Sequence, residues 1–431
     1  MKKISPLIIL VIISAFLIFY HFPAIPKYLA YDEVEFTKLA LSLDNKPYAP
    51  YSQLATGHST LYFYILLASL KTFGINVFAL RFPAAIFGIL SVLFFYLIMK
   101  KVFSHQNNDK FLNFLVSQFP FFLSLILLSS RWFLNFSRFS FEATFLLFLE
   151  LVSIYFLISF WREKQSQNIF LIISGLFAGF AFISYTPGRI FFILPIAFLI
   201  FNWYRRGMSR LYDKKILIKQ FLLFIIPFTI IITPLTLHLS TNQDSRIDKL
   251  FFWRNHEMTL NEKIIGTVNN VKTITLMFFT KGDMNGKHNY PGKPALNPIL
   301  GTLLIIGFIY SLKNYKNLYN KLFLLYFLIS LFPSLAIYPW ENPSMLRTFT
   351  VIPSVIYFIG NAIYHLSSIV PRWSINKTFV SCFLFLVILF SCVYELRTYF
   401  KYQVPVFEHS FEIRYPLNKA IKMKNVYEKV P

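Results

Sequence analysis

Residues 5–33 read SPLIILVIISAFLIFYHFPAIPKYLAYDE and set the character of the whole chain. The run 5–22 is apolar and long enough for a first membrane helix, and Pro23 and Pro26 end it. Asp32 and Glu33, the first acidic residues of the chain, follow directly. An acidic pair at the mouth of a membrane helix indicates chemistry at the membrane face.

The composition agrees with a membrane-embedded chain. Of 431 residues, 56% are hydrophobic and 19% aromatic, and the mean hydropathy is +0.55. These values are typical of a polytopic all-α membrane protein and exclude an ordinary soluble domain. The net charge of +23 is better explained by basic cytoplasmic loops beside anionic lipid than by nucleic acid. Cys382 and Cys392 lie in one apolar run, about 15 Å apart along a helix, which is too far for a disulfide.

About eleven transmembrane helices are predicted from the apolar runs. They fall near 5–22, 77–99, 111–130, 141–161, 168–185, 189–204, 216–239, 297–312, 321–338, 346–368 and 376–396.

The orientation of these helices depends on a twelfth run, 59–74, which we predict does not span. The basic residues of the short loops then gather on the side of Lys2 and Lys3, as the positive-inside rule requires. If 59–74 spans, every later loop changes side and violates the rule. The N-terminus is therefore predicted to be cytoplasmic, in a multi-pass protein of the cell membrane.

The same topology defines the domain organisation. A single transmembrane domain occupies 1–396. Its extracytoplasmic segments are 23–76 and 240–296, and a short basic tail follows over 397–431. Two amphipathic helices are predicted in the outer segments, one at 32–43 and a membrane-surface helix near 261–279.

Asp32 and Glu33 are the strongest site candidates. The simplest interpretation of Asp32 is a helix cap, since it lies at the start of a predicted helix. Its position beside the membrane, followed by His58, favours a function. A carboxylate at this place is suited to accept a proton from an acceptor hydroxyl or amine, or to bind a divalent cation.

The second outer loop carries Arg138 and Glu142. Because they are four residues apart, they are candidates for a simple ion pair on one helix face. Glu142 enters the next helix, where an isolated charge is costly, so it needs a partner or a function. Glu150, deeper in that helix, raises the same question, and the sequence assigns it no role.

Later outer turns contribute arginines. Tyr185 to Arg189 form a tight turn, and Arg347 follows Glu341-Asn342-Pro343 at a helix start. Each arginine is explained either by extension to the lipid headgroups or by a phosphate clamp. A Gly/Pro/Asn-rich cluster over 282–294 is most simply an ordinary loop, and contains the candidates His288, Asn289 and Lys293.

As a set, these motifs resemble the membrane glycosyltransferases of the GT-C fold, in particular the bacterial branch of the protein O-mannosyltransferase and aminoarabinose transferase superfamily. The resemblance runs to about residue 360. It is carried by Asp32-Glu33, by Ser137-Arg138 with Glu142, by the Tyr185–Arg189 turn, and by two further segments. These are the His288-Asn289-Tyr290-Pro291-Gly292 segment and the Pro343-Ser344-Met345-Leu346-Arg347 segment. The second-loop acid is Glu142 where some relatives have Asp.

The resemblance implies an inverting hexosyl or pentosyl transfer from a polyprenyl-phosphate sugar to a protein, lipid or glycan acceptor outside the membrane. Asp32 would act as the base, with Glu33 beside it. Tyr185, Arg189 and Arg347 would bind the lipid phosphate. Arg138, Glu142 and His58 would shape the acceptor side. Members differ in metal use, so a divalent metal stays open and no other cofactor is implied.

Two other functions remain as alternatives. A lipid-sugar flippase or other transporter should have polar residues near mid-membrane and broken helices in repeated halves, whereas here the charges cluster at outer helix ends. A non-catalytic assembly partner is the third interpretation. Replacement of Asp32 separates an enzyme from both.

Overall fold

The computed structural model describes residues 5–103, 110–162, 168–207, 214–242, 244–369 and 377–423. In chain order the helices and strands are α1 (Pro6–Phe19), α2 (Tyr31–Ser42), β1 (Tyr51–Ser52), β2 (His58–Ser59), α3 (Leu61–Phe73), α4 (Val77–Phe103), α5 (Lys110–Ser129), α6 (Arg131–Phe136), α7 (Ala143–Arg162), α8 (Asn168–Phe182), α9 (Ile193–Gly207), α10 (Lys214–Thr241), α11 (Ser245–Leu250), α12 (Leu260–Phe279), α13 (Pro298–Lys313), α14 (Leu318–Leu335), α15 (Ile352–Ile369), α16 (Lys377–Arg397), α17 (Val404–Ser410) and α18 (Leu417–Ala420). Single 3₁₀ turns occupy Leu54–Thr56, Thr186–Ile190, Phe252–Arg254, Pro339–Glu341 and Phe349–Val351.

A helix occupies each of the eleven predicted apolar runs, so the predicted all-α architecture is confirmed. Five of the described helices are long and apolar enough to cross a membrane by length and composition: α4, α7, α10, α14 and the α15 segment. The apolar helices α1, α3, α8, α9 and α13 have 13–16 residues, and the number of spans stays a prediction. The chain is a multi-pass helical membrane protein.

The doubtful run forms α3, which has 13 residues and ends at Gly74 with φ +82°. Thirteen helical residues rise about 20 Å, less than the roughly 30 Å of a bilayer's hydrocarbon core. Helices α1, α8 and α13, which are predicted to span, are nearly as short, with 14–16 residues, so the non-spanning character of 59–74 stays a prediction. The side of the membrane on which α3 lies remains a prediction.

Close approaches between helices tighten the bundle. At Gly307 of α13, an added Cβ would lie 1.7 Å from the backbone oxygen of Phe358 in α15. At Gly175 of α8, it would lie 2.3 Å from the oxygen of Phe224 in α10. Small residues are what allow membrane helix backbones to come this near, so these glycines set the spacing of the two helix pairs.

The first predicted amphipathic helix is confirmed as α2, with Phe36, Leu39 and Ala40 buried. The predicted capping role of Asp32 is wrong. The side chain of Glu33 reaches back instead, and its Oε2 accepts a hydrogen bond of 3.1 Å from the amide of Ala30. Asp32 is therefore left free of the helix cap.

The second amphipathic helix is confirmed as α12, which begins with a capping box between Thr259 and Glu262. Its apolar stripe over Ile264, Ile265, Val268 and Val271 is exposed in the folded chain. An exposed stripe of this kind suits a helix lying in the membrane interface, and that placement stays a prediction.

The predicted tail at 397–431 does not begin at a structural break. Helix α16 continues through a π-helical turn, Thr398–Gln403, into α17. Ile413 then pairs with Leu29 as an antiparallel bridge, with N···O distances of 2.9 and 3.1 Å. Phe407 and Phe411 are buried in the core. The described part of the tail is thus joined to the first outer segment.

Candidate functional site

Asp32 lies in the first turn of α2 with 45% of its side chain exposed. Lys287, from the loop before α13, places its Nζ 3.6 Å from Asp32 Oδ2 and 3.8 Å from Glu412. The predicted loop cluster 282–294 is therefore brought directly beside Asp32. The carboxylate is both accessible and next to a cation.

Glu33 points the opposite way and is fully buried. Both of its carboxylate oxygens accept from Arg81, at 2.8 and 2.9 Å, and Oε1 also accepts from the amide of Ser140 at 3.1 Å. Arg81 binds the carbonyls of Pro26 and other residues of the first outer segment with its remaining N–H groups. The direct catalytic role predicted for Glu33 does not fit this placement. Glu33 fastens α2, and with it Asp32, to the second outer loop.

The predicted Arg138–Glu142 ion pair is wrong. Arg138 is buried and donates to the carbonyls of Leu17, Ile18 and Tyr20 at 2.6–2.9 Å. The last carbonyls of a helix lack partners within it, so the guanidinium satisfies the end of α1. Arg138 therefore stabilises the end of α1, and its predicted place on the acceptor side stays a prediction.

Glu142 pairs with His58 instead. Its Oε1 lies 3.0 Å from His58 Nδ1, and Arg246 Nη1 lies 2.7 Å from Nε2 and 2.9 Å from Nδ1. Burial lowers the pKa of His58 below its usual value, with Glu142 opposing the shift. A neutral ring donates from one nitrogen and accepts at the other, so we assign Nδ1–H to Glu142 and Nε2 as the acceptor of Arg246. His58 thus links the carboxylate of Glu142 to the guanidinium of Arg246.

This chain of contacts fixes the direction of Arg246. Its guanidinium lies over the ring of Tyr185, 5.3 Å from the ring centre. Tyr185 and Arg246 both line a cavity of about 170 Å³ that also contains Arg189 and Arg347. We call this the arginine cavity. It brings together the three residues predicted to bind a phosphate.

Each of the other two arginines is held by an acid. Arg189 pairs with Asp244, and Arg347 Nη2 lies 2.8 Å from Glu341 Oε2. Burial raises the pKa of Asp244, but Arg189 and hydrogen bonds to its carboxylate more than offset this, so the pKa lies below its usual value. Arg189 keeps Nε and Nη2 buried without a hydrogen-bond partner among the described residues. Such unpartnered donors are what an anionic ligand requires.

Aromatic side chains pack between helix α2, which carries Asp32, and the arginine cavity. Phe36, one turn after Asp32 on α2, meets His58 edge-on at 5.2 Å and Phe141 at 5.1 Å between ring centres. Phe141 in turn contacts Tyr185 at 5.8 Å. These buried rings form a packed cluster between α2, the helix that carries Asp32, and Tyr185 at the arginine cavity.

Arg246 and Asp244 are site residues that were not predicted from the sequence. Asp244 caps α11 by accepting from the amides of Arg246 and Ile247 at 3.1 and 3.2 Å, and also accepts from Tyr51 at 3.0 Å. The pattern Asp-Ser-Arg at 244–246 is a helix-start signal. It could have placed a short helix here, but not the direction of its arginine.

The loop candidates hold the loop itself. His288 Nδ1 lies 3.1 Å from Asp283 Oδ2, which also accepts from the amide of Met345 at 2.9 Å. Asn289 bonds Arg131 and donates to the carbonyls of Asp283 and Lys293 at 2.9 and 2.8 Å. Lys293 donates to the Tyr394 hydroxyl at 2.8 Å. Residues 282–294 are therefore more than an ordinary loop, because these contacts hold Lys287 beside Asp32.

Metal ligation was left open by the sequence. Within the described ranges, no group of three or more His, Cys, Asp or Glu side chains comes together. Cys392 is a free thiol, and the side chain of Cys382 lies outside the described residues. Metal dependence stays an open prediction.

Comparison with known proteins tests the resemblance. Residues 57–232 match a family model described as "Dolichyl-phosphate-mannose-protein mannosyltransferase". That segment contains His58, Glu142 and the Tyr185–Arg189 turn. No curated protein matches the chain at a significant level.

Solved structures share the fold. The oligosaccharyltransferase AglB of Archaeoglobus fulgidus, in complex with an inhibitory peptide and a dolichol-phosphate, aligns with TM-score 0.54 and 15% identity over 94% of this chain and 55% of its own. Its apo form aligns with TM-score 0.52 and 15% identity over 95% and 56%. ArnT of Cupriavidus metallidurans, bound to undecaprenyl phosphate, aligns with TM-score 0.49 and 11% identity over 94% and 76%.

The chain spans just over half the length of the AglB structures it matches. At this identity the likeness shows the fold. The chain therefore has the GT-C fold, and residues 57–232 carry the likeness to the protein mannosyltransferase family.

Proposed function

We propose that this protein is an inverting glycosyltransferase that moves a sugar from a polyprenyl phosphate to an acceptor on the extracytoplasmic face of the cell membrane. The observation that carries the proposal is the convergence of Arg189, Arg246 and Arg347 on one cavity. An aromatic cluster packs between this cavity and α2, the helix that carries the exposed Asp32. The dolichol-phosphate in the AglB complex supports a lipid-phosphate donor.

The proposed reaction is a single displacement at the anomeric carbon. An acceptor hydroxyl or amine gives its proton to Asp32 as its oxygen or nitrogen bonds to that carbon from the face opposite the phosphate. The bond between the anomeric carbon and the phosphate oxygen breaks, and its electron pair leaves with the polyprenyl phosphate. Attack from the opposite face inverts the configuration.

The arginines act on the departing phosphate. Negative charge increases on its oxygens as the bond to sugar breaks, and fixed guanidinium groups stabilise that charge without reorganising. Arg189 has free donors for this purpose. His58 and Glu142, predicted for the acceptor side, are better assigned to the donor side, because they hold Arg246.

Lys287 lies beside Asp32 in the proposed site. Its ammonium nitrogen lies 3.6 Å from the Asp32 carboxylate, beside the group proposed to accept the proton. Its place in a loop fixed by His288 and Asn289 keeps this cation near the reacting groups.

The transporter alternative rests on Glu150, a buried acid within α7. Its Oε2 accepts a hydrogen bond of 2.7 Å from Tyr326 of α14, and it does not line the arginine cavity. A hydrogen bond that joins two packed helices is typical of a structural contact, and not of a residue lining a substrate pathway. The transferase is therefore the function we propose.

The test is turnover by the purified protein in nanodiscs, offered a panel of polyprenyl-phosphate sugars with candidate acceptors. We expect release of free polyprenyl phosphate from one donor. Flux of lipid-linked sugar across liposomes, without release from any donor, would support the transporter instead.

A further inference from the structure

A second polar cavity lies at the opposite end of the helix bundle from the arginine cavity. Asn317 and Asn320, at the start of α14, line it, whereas Phe332 and Pro333, near the end of α14, line the arginine cavity. The 18 residues of α14 rise about 27 Å. Asn320 and Phe332 are twelve residues apart, a rise of about 18 Å, so the two cavities lie near opposite ends of α14.

The rim of this second cavity is cationic. Its volume is about 470 Å³, and Lys313 and Lys316 lie at its mouth with exposed side chains. None of the described residues that line it is acidic. A cavity with two ammonium groups and no carboxylate favours an anionic ligand.

The floor is a fixed polar network. The Tyr357 hydroxyl donates to Asn320 Oδ1 at 2.6 Å, and Asn361 Nδ2 lies 2.9 Å from both Asn320 Oδ1 and Ser311 Oγ. All four residues are buried. Polar side chains between membrane helices are costly unless they are satisfied or functional. This network gives the cavity a rigid, hydrogen-bonding base.

The walls are rich in tyrosine. Tyr310, Tyr315, Tyr319 and Tyr364 line the cavity, and Tyr310 lies against His365 with ring centres 4.3 Å apart. Tyrosine combines an apolar ring with a polar hydroxyl, which suits the level of the lipid headgroups. Lys321 extends over Tyr315, 5.9 Å from its ring centre, and adds a third cation nearby.

From these features we propose that the cavity between α13, α14 and α15 binds a phosphate group, held by Lys313 and Lys316 over the Asn320–Asn361 floor. The ligand is an anionic phospholipid headgroup or a soluble phosphate. By the predicted topology this site faces the cytoplasm, away from the proposed transfer reaction, and it does not depend on that reaction.

Native mass spectrometry of the full chain tests the proposal. The protein is exchanged from neutral detergent into mixtures containing phosphatidylglycerol or phosphatidylcholine, and the retained lipid is counted. We expect preferential retention of phosphatidylglycerol, reduced at least about fivefold in a Lys313→Gln, Lys316→Gln variant. A Lys215→Gln, Lys219→Gln variant is the matched control, because it removes two lysines from the start of α10.

Competition with inorganic phosphate and glycerol phosphate identifies the source. Retention that neither anion displaces supports the lipid headgroup, and displacement by either at millimolar concentration supports a soluble phosphate. Equal retention of the two lipids would overturn the proposal, and so would equal loss in both variants. Thermal unfolding of each variant checks that it has folded.

Discussion

Arg246 is the central arginine of the proposed donor site, since it contacts both His58 and the ring of Tyr185 at the cavity. We predict that Arg246→Gln weakens donor binding by roughly ten- to a hundredfold, because one charge-assisted contact to phosphate contributes about 1.5–3 kcal/mol. The measurement is the KM for the lipid-linked donor.

Arg254→Gln is the control for this change. Arg254 is exposed on the same outer loop and pairs only at the surface with Asp248, at 2.6 Å. We expect its replacement to leave the donor KM within about twofold. An equal rise in both variants would indicate a general effect of loop charge rather than a cavity contact.

His58 should make stability pH-dependent. Its pKa is lowered in the folded protein, so on acidification the unfolded chain binds a proton at about pH 6.5 before the folded chain does. Stability from this residue is therefore present above that pH and is lost as the pH falls below it. Thermal unfolding between pH 5 and 8 measures the loss.

The comparison variant is His58→Gln, whose amide can donate to Glu142 and accept from Arg246 without titrating. We expect a smaller loss of melting temperature on acidification in this variant. The same loss in both proteins would assign the pH dependence to other groups.

At the scale of elements, the structure contains every helix that periodicity predicted and also short helices, such as α6 and α11, that it did not. Helix α2 was recognisable because its apolar residues recur at helical spacing, and α12 for the same reason. The ion pair of Glu33 with Arg81 and the contact of Arg138 with α1 were not recognisable. Their partners are 48 and about 120 residues away in sequence, so only the packing of the helices brings them together.

The packing of α13 on α15 yields a stability prediction. Gly307→Ala would place a methyl group against the Phe358 carbonyl, so the helices must separate. Overpacking of this kind costs about 1–3 kcal/mol, and we expect a clear fall in the melting temperature in detergent.

Gly301→Ala, two turns earlier in α13, is the matched control. Its added methyl group would meet only the ring of Phe279, at 3.3 Å, and that ring is partly exposed and able to move. A melting temperature that falls equally in the two variants would mean that helix α13 tolerates no added methyl group, whatever it faces.

At the scale of the whole molecule, the topology is the prediction that most needs a direct test. With Cys382 and Cys392 replaced by Ala, a single cysteine at Phe73, which is 44% exposed, should react with a membrane-impermeant maleimide added outside intact cells. A single cysteine at Lys100, at the end of α4, should react only after permeabilisation. Reaction of the Phe73 position only after permeabilisation would mean that 59–74 spans.

Part of the candidate site could be predicted from the sequence. The sequence indicated the exposed acid and two of the three cavity arginines, since charges at outer helix ends are unusual enough to notice. The resemblance favoured Asp32 over Glu33 as the base. The burial of Glu33 against Arg81, which separates the two residues physically, depends on packing that the sequence does not reveal. Arg246 lies in a long outer segment with several other basic residues, so nothing in the sequence distinguished it as a site residue.

The most direct measurement is transfer by Asp32→Asn beside the wild-type protein, with release of polyprenyl phosphate as the readout. Glu35→Gln is the control, since Glu35 lies on the same helix and pairs only with Lys38. We expect the Asp32 variant to keep its fold and donor binding but to lose about 100-fold or more in turnover, as loss of a general base does. Near-normal transfer by Asp32→Asn would contradict the proposed catalytic role of Asp32.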